Sequence, residues 1–538
     1  MVAQGAEGFS NPTVASGVRS LAEAWRRGLS ISPSATALRV DGVALTYSEL
    51  NTVAVSLAVA FNELDPTGAP VGVLATRSLD AYVGCLAAVL AGRTYVPLHP
   101  EFPLERTAGM LRRSGAVAVV VGPEGDSAAE PLVALAARGP VLCFPTREVP
   151  GWVRAVGAEA VGASDLRTIS TLSVAESSDE AVAYLLFTSG STGQPKGVGV
   201  TQANVAAYLS HAVLSFGYSA TDRCSQMFDL TFDLSVHDLF VTWMAGACLC
   251  VPSRRAVIAP GKFIRDEKLT VWFSVPSTAM VMDRLRMLKP NAFPSLRVSL
   301  FCGEALSVGI ASKWSTAAPN ASLHNLYGPT EATIAITAFE WVPGRVQEGI
   351  VPIGDPFPGH HIAVVDPSGN DVGIAGPGEL CLAGPQVTPG YWDDPGRTAA
   401  SFVTLPGSPD RWYRTGDLVE RSASDGLRYH GRIDDQVQVL GFRVELVEVD
   451  AALRAVLETE SAVAVAYPPG PTAEAVYAFA IAADDEGNEA AAIAKCRERL
   501  PAYMVPHRVF FVDTLPLNSN GKIDRVLLRS TLEKLLHV

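Results

Sequence analysis

Residues 185–198 read LLFTSGSTGQPKGV: a short apolar run, six residues drawn only from Thr, Ser and Gly, then Gln-Pro-Lys-Gly, then apolar residues again. The pattern predicts a buried strand, a tight hydroxyl-lined turn and a second strand leaving it. Small residues let backbone approach a ligand closely, and their N–H and O–H groups can surround phosphate oxygens. Lys196 adds one mobile positive charge, so the build suits a polyphosphate. A Walker A turn is excluded by spacing, because it needs G-x-x-x-x-G-K followed by Ser or Thr at the start of a helix. Here Gly190 and Gly193 are three apart, and Lys196 is followed by Gly197 and Val198. A flexible Gly/Ser surface loop is the alternative, and the strand-like flanks argue against it.

Around this loop lie 538 residues, more than one domain usually holds, so at least two are expected. Hydrophobic residues at 48% and charged residues at 18% provide a large core and exclude a disordered chain. A net charge of -13 repels nucleic acid and anionic membrane surfaces, so neither is an expected partner. The first residues lack a basic segment followed by an apolar one, so no signal peptide is expected. No apolar run reaches the roughly 18 residues of a membrane span, and the richest, residues 81–92, is expected to be a buried core helix. Eight cysteines occur without a CxxC pair, and Cys248 and Cys250 sit in an apolar strand-like run. These features point to a reducing, cytoplasmic setting and to no cysteine-based metal site.

Helical stretches alternate with β-branched runs at residues 71–75, 116–121, 270–275 and 298–301. That alternation predicts an α/β fold: a large N-terminal domain of mostly parallel sheets flanked by helices. Pro and Gly concentrate between residues 351 and 396, predicting a smaller β-rich part with tight turns. A break near Gly431 precedes a helix over 449–457, strands over 462–467 and 476–481 and a helix over 489–500. This is a small α+β unit with its own core. The expected domains are therefore 1–433 and 434–538, with the boundary at Asp434.

Nine motifs stand in order along the chain: LTYSEL from Leu45, AGRTYVPLHP from Ala91, TSGSTGQPKG from Thr188, NLYGPTE from Asn325 and GELCLAGPQVTPGYW from Gly378, then YRTGDL from Tyr413, GRIDDQVQVLGFRVEL from Gly431, LPAYMVP from Leu500 and NSNGKIDR from Asn518. In this order they resemble those of adenylate-forming enzymes, and more narrowly the amino-acid adenylation enzymes of nonribosomal peptide synthesis. Singly, YGPTE is an ordinary Gly-Pro turn, Asp417 a cap or turn residue and Lys522 a solvated side chain; their joint occurrence reverses each reading.

The resemblance implies that ATP and a carboxylate give an acyl-adenylate and pyrophosphate, followed by transfer to a thiol. It implies that Thr188, Ser189, Gly190, Ser191, Thr192, Gly193 and Lys196 hold the β- and γ-phosphates and that Thr330 contacts the α-phosphate. Glu331 would hold Mg²⁺, a hard cation suited to a carboxylate. Tyr327 would stack on adenine in a slot lined by Gly303 and Glu304. Asp417 would accept both ribose hydroxyls, with Arg432 nearby. Lys522 would place positive charge where negative charge develops in the transition state. The C-terminal domain would be mobile, turning about a hinge at Asp434 between the two half-reactions. With no carrier or condensation domain evident, a stand-alone enzyme serving a separate phosphopantetheinylated carrier protein is expected.

The substrate is addressed by FDLTFDLSVHDLF from Phe228. In this family an Asp at the position of Asp233 pairs with the substrate ammonium, which a buried site tolerates only when paired. Outward alignment gives Leu234, His237, Ser274, Leu300, Cys302, Leu326, Ile334 and Ala335 as further walls, none of them Asp, Glu, Lys or Arg. A charged substrate side chain would be buried without a partner, so a small or medium, uncharged amino acid is expected. Asp229, in the duplicated FDLxFDLS pattern, reads either as a structural carboxylate or as a displaced ammonium contact suited to a β-amino acid. Stand-alone enzymes that activate β-amino acids for macrolactam polyketides resemble this chain in length and pocket character, and α and β both stay open. Gln438 and Leu440 replace the Lys and Arg usual after the hinge, and His99 replaces an Asp. The competing readings are an acyl-CoA ligase, opposed by Asp233, and an inactive nucleotide-binding homologue, opposed by Lys196, Glu331, Asp417 and Lys522.

Overall fold

A computed structural model describes residues 17–135, 139–169, 177–190, 195–374, 376–470, 472–481, 488–517 and 523–536. The chain is α/β, as the alternation predicts. A seven-stranded sheet runs in the order Ala160–Gly162, Val141–Phe144, Ala118–Val121, Val71–Leu74, Tyr95–Leu98, Val182–Thr188, Lys196–Thr201. Its first six strands are parallel; the last is antiparallel, with Thr188 opposite Lys196. The Gly/Ser/Thr loop thus joins two adjacent strands at a sheet edge.

The second sheet has nine strands, and its centre is parallel from Ser322–Tyr327 through Val298–Phe301, Val271–Ser274, Arg223–Ser225 and Cys248–Cys250 to Thr36–Val40. Between the sheets lies Leu79–Leu90, buried from Asp80 to Leu90, as expected of the apolar run that is too short for a membrane. No helix among the described residues is long and apolar enough to cross a membrane.

Register places the site. Ser274 stands opposite Phe301, and Phe301 opposite Asn325, so three neighbouring parallel strands finish at one level. The carboxyl ends of parallel strands are where open α/β sheets leave room for ligands. Cys302–Ala305 and Gly328–Thr330 follow directly from two of these ends, and Tyr327 is the last residue of its strand.

An antiparallel sheet forms the smaller β-rich part, from His361–Val365, Gly378–Ala383, Arg411–Ser422, Phe402–Thr404 and Gly426–Arg432. Within it Asp417 faces Arg432 across the ladder. Beyond comes the hairpin Gln436–Val439 and Phe442–Glu445, the helix Leu446–Leu457, and a three-stranded sheet of Ala462–Tyr467, Ala475–Ala480 and Val509–Phe511. Separate apolar clusters cover the two faces of that sheet, one around Val449, Leu453 and Val476, the other around Val463, Phe479 and Leu528. The hairpin turns on Leu440 and Gly441, both at positive φ (+49° and +86°). Two such residues match the right-handed twist of the strands they join.

Candidate active site

A cavity of about 140 Å³ opens at the strand ends, lined among others by Asp233, Leu234, Cys302, Gly303, Glu304, Leu326, Tyr327, Thr330, Asp417 and Arg432. These ten residues, each singled out from the sequence, are brought together from five separate segments. Two of the lining residues, Glu304 and Asn325, each hold a buried oxygen without a protein partner: Oε1 of Glu304 and Oδ1 of Asn325. The other oxygen of Glu304 accepts from the Ser277 N–H at 2.7 Å, and the Asn325 amide donates to the carbonyls of Val351 and Pro352 at 3.1 and 2.9 Å. Unpartnered buried acceptors are costly and suit a ligand that donates, such as an adenine amine. Asn325 begins the NLYGPTE motif, but nothing in the sequence alone assigns it a role.

Asp417 is buried, with one oxygen accepting from Arg432 at 2.7 Å and the other from the Tyr327 hydroxyl. Arg432 also makes a two-pronged contact with Asp434 at 2.7 and 2.6 Å. Asp434, the expected hinge residue, is thereby linked through Arg432 to Asp417.

The loop over 188–196 is described at Thr188, Ser189, Gly190, Pro195 and Lys196; Ser191, Thr192 and Gly193 lie outside the described residues, as does Lys522. Thr188 Oγ1 is buried without a protein partner. Lys196 is buried and ion-paired with Glu331 at 3.0 Å, with its ammonium 4.9 Å from the centre of the Tyr391 ring. A backbone bond from Trp392 N–H to the Gly197 carbonyl, 2.8 Å, fixes Tyr391 there. Glu331 is fully buried. It accepts from Tyr391 at 2.9 Å and from Arg443 at 3.0 Å. Burial opposes its ionisation, but the charges of Arg443 and Lys196 outweigh burial and hold the carboxyl below its ordinary range. With both oxygens taken by cations and a phenol, Glu331 as arranged does not fit a Mg²⁺ ion. No group of three His, Cys, Asp or Glu suited to a metal occurs among the described residues.

The C-terminal unit closes the cavity with its hairpin, a placement that no local sequence pattern signals. Gln436, Gln438, Gly441 and Arg443 all line it. The Ser189 hydroxyl donates to the Arg443 carbonyl at 2.9 Å, and the Gly190 N–H donates to Glu448 at 3.2 Å. Glu448 is in turn paired with Arg106. Phe442 sits edge-on to Phe232 at 5.0 Å and stacks on Tyr503 at 4.0 Å. Of the two departures in the hairpin, Gln438 faces the cavity, whereas Leu440 is half-exposed at the tip. The flanks of Lys522 lie elsewhere: Leu517 and Ile523 pair with each other, and Ile523 packs on the far face of the C-terminal sheet.

Asp233 is buried in the cavity wall. Its Oδ2 accepts from the Ile334 N–H at 3.1 Å, and among the described residues no Lys, Arg or His pairs with it. Burial pushes its pKa up to about 6. Such a carboxylate is short of one positive charge.

Asp229 differs, correcting its reading as a second ammonium contact. It does not line the cavity; one oxygen accepts from the N–H and hydroxyl of Thr231 at 3.0 and 2.7 Å. The other lies 3.4 Å from His99 Nε2, which gives the unexpected histidine a partner. The Asp-x-Thr spacing is the signal that identifies such a local turn.

Five of the aligned walls also stand back from the cavity. His237 is held by Tyr208 at 2.7 Å and Tyr218 at 2.8 Å, one hydroxyl at each ring nitrogen, and burial lowers its pKa to about 3. Ser274 accepts from Trp272 Nε1 at 3.0 Å and donates to the Val275 carbonyl at 3.1 Å. Neither is available as a polar contact. Leu300, Ile334 and Ala335 are wholly buried behind the wall.

The turn that carries Ile334 is strained: Thr333 and Ile334, both β-branched, have φ of +58° and +71°. Each such residue costs about 1–3 kcal/mol and persists only where its surroundings over-determine it. Gln386 does this, donating to the carbonyls of Thr333 and Ala335 at 3.0 and 2.7 Å and accepting from the Thr333 hydroxyl through its own main-chain carbonyl at 2.6 Å. Gln386→Met, which keeps the length but strips the buried carbonyls of their donor, is expected to destabilise the protein by about 1–3 kcal/mol. A melting temperature equal to that of the parent would show that the turn holds itself.

Comparison with known proteins agrees with this fold. The family model described as AMP-binding enzyme matches residues 26–392, and that of the AMP-binding enzyme C-terminal domain matches 448–522. A linear gramicidin synthase chain of Brevibacillus parabrevis is 33% identical over 94% of this chain, which spans only 6% of that protein's length. The D-alanine--D-alanyl carrier protein ligase of Lacticaseibacillus rhamnosus is 32% identical over 92% of this chain and 95% of its own. Among solved structures, the Vibrio cholerae adenylation domain AlmE in complex with glycyl-adenosine-5'-phosphate superimposes with a TM-score of 0.88. It is 30% identical, covering 99% of this chain and all of that one.

Proposed function

The chain belongs to the AMP-binding enzyme family, within the adenylation enzymes of the nonribosomal-peptide type, and on that premise we propose that it is an ATP-dependent amino-acid adenylating ligase. In the first step a carboxylate oxygen attacks the α-phosphorus, the bond to the bridging oxygen breaks, and pyrophosphate leaves with its electron pair. Two anions must meet for this, so charge neutralisation and alignment carry the catalysis. In this reading Lys196 receives the outer phosphates, Thr330 the α-phosphate, and Tyr327 with Asp417 the nucleoside. The observation that carries the amino-acid reading is Asp233: a buried carboxylate with no cation paired to it among the described residues, on the wall of the cavity that the proposed nucleotide residues also line. It supports an ammonium-bearing substrate over a plain acyl one. The turning away of Asp229 toward Thr231 and His99 favours an α- over a β-amino acid.

In the second step a thiolate attacks the aminoacyl carbonyl and AMP departs. The acceptor we propose is the phosphopantetheine of a separate carrier protein. The hairpin seated in the cleft supports a two-position mechanism for residues 434–538 about Asp434, with Lys522 brought to the site for adenylation and Gly441 for transfer. A Mg²⁺ ligand role for Glu331 would require Arg443 to leave with the hairpin, and no step above depends on it. The eight cysteines, all unpaired and buried, suit a reducing, cytoplasmic setting.

The test is amino-acid-dependent ATP–pyrophosphate exchange across α- and β-amino acids, with coenzyme A acceptance assayed in parallel. Exchange stimulated only by amino acids lacking a charged side chain is expected; activity confined to unaminated acids with coenzyme A would replace the reading with an acyl-CoA ligase. Lys522→Ala is expected to lower exchange by about two to three orders of magnitude while nucleotide still binds, as loss of a transition-state charge does. Unchanged exchange would remove Lys522 from the adenylation step.

A further inference from the structure

The wall beyond Asp233 says how large the substrate can be. With the ammonium on Asp233 and the carboxylate at the α-phosphate, the apolar lining left for the side chain includes Leu234, Cys302 and Leu326. Space ends there. Leu300, Ile334 and Ala335 have no exposed surface at all, so no water-sized void reaches them. Cys302 and Leu326 retain only 1% and 2%.

Nor can the floor retract by turning a polar group. His237 is pinned at both ring nitrogens by Tyr208 and Tyr218, and Ser274 is engaged as donor and acceptor. Any larger side chain must displace packed atoms rather than water or a mobile rotamer, and interiors at crystal-like density resist that.

We propose that the substrate is an amino acid whose side chain is a single methyl group or a hydrogen. This rests on the amino-acid activation reading above and narrows it from small or medium to the bottom of the range.

The experiment is the same exchange assay, run on the full-length enzyme with glycine, alanine, 2-aminobutyrate, valine, leucine and phenylalanine. Glycine or alanine is expected to give the highest kcat/KM, with a fall of about ten- to two-hundred-fold for each methylene beyond the methyl group. Leu326→Ala, which opens the wall, is expected to shift the valine-to-alanine ratio toward valine by at least about tenfold. Should that variant misfold, the unmodified enzyme's ranking still decides. A preference for valine, leucine or phenylalanine overturns the size limit and leaves amino-acid activation standing. Exchange with no amino acid overturns both.

Discussion

Asp233→Asn is expected to lower kcat/KM for the amino acid by about two to four orders of magnitude, because a buried ion pair stripped of one partner typically costs about 3–5 kcal/mol. The KM for ATP should change little, since Asn has nearly the same shape and still offers an acceptor oxygen to the wall around it. The parent enzyme should show a matching pH signature. Burial raises the carboxyl to about 6, so the ammonium-binding form predominates above that pH. Amino-acid kcat/KM then falls about tenfold per unit below it, and the Asn variant lacks this inflection.

Stability separates a binding carboxylate from a structural one. A carboxyl whose folded pKa lies above its unfolded value, about 4, makes the fold lose stability as pH rises from about 4 to about 6 and leaves the loss in place above. Asn keeps the acceptor for the Ile334 N–H and carries no charge. The variant should therefore melt no lower than the parent at pH 7. A large drop in melting temperature would mean that Asp233 holds the fold together instead of the substrate.

Gly441→Val is expected to split the two half-reactions. At φ +86° a side chain is strained, and a Cβ there would stand 2.9 Å from Val275 Cγ1. The hairpin cannot seat with that contact, so aminoacyl transfer to a phosphopantetheine thiol should fall by about two orders of magnitude or more, as when misplacement by about 1 Å disturbs a reacting geometry. ATP–pyrophosphate exchange, which the proposed mechanism assigns to the other position of the C-terminal unit, should stay within a few-fold. Single-turnover transfer from preformed aminoacyl-AMP measures the first rate, and pyrophosphate exchange the second. If both rates fall together, Gly441 serves folding alone and the two-position mechanism loses its support.

Much of the site is readable where the signal is local or ordered. Two strands flanking a Gly/Ser/Thr turn over residues 185–198 follow from composition and apolar flanks, and the antiparallel pairing of Thr188 with Lys196 bears out the two strands. The cavity residues Gly303, Glu304, Tyr327 and Thr330 lie at or just after strand ends, where the strands give way to Gly and Pro. Arg443 carries no such signal. Its partners, Glu331 and Ser189, are 112 and 254 residues away, and no local pattern reports an ion pair of that span.

The repeated FDL segments mark the limit most sharply. By sequence Asp229 and Asp233 are near-equivalents, each following a Phe and preceding a Leu. Thr231 satisfies Asp229 within its own turn, whereas Asp233 waits on an N–H from Ile334, 101 residues further along the chain. By itself the sequence determined the family, the order of the motifs and a largely parallel α/β core, because those depend on spacing and period; the carboxylate for an ammonium group entered only through the resemblance. Only the tertiary structure decided which carboxylate has no cation among the described residues, which walls bound empty space, and what covers the cleft. Those are properties of packing between distant segments, where the burial of one side chain is set by neighbours that the chain supplies from elsewhere.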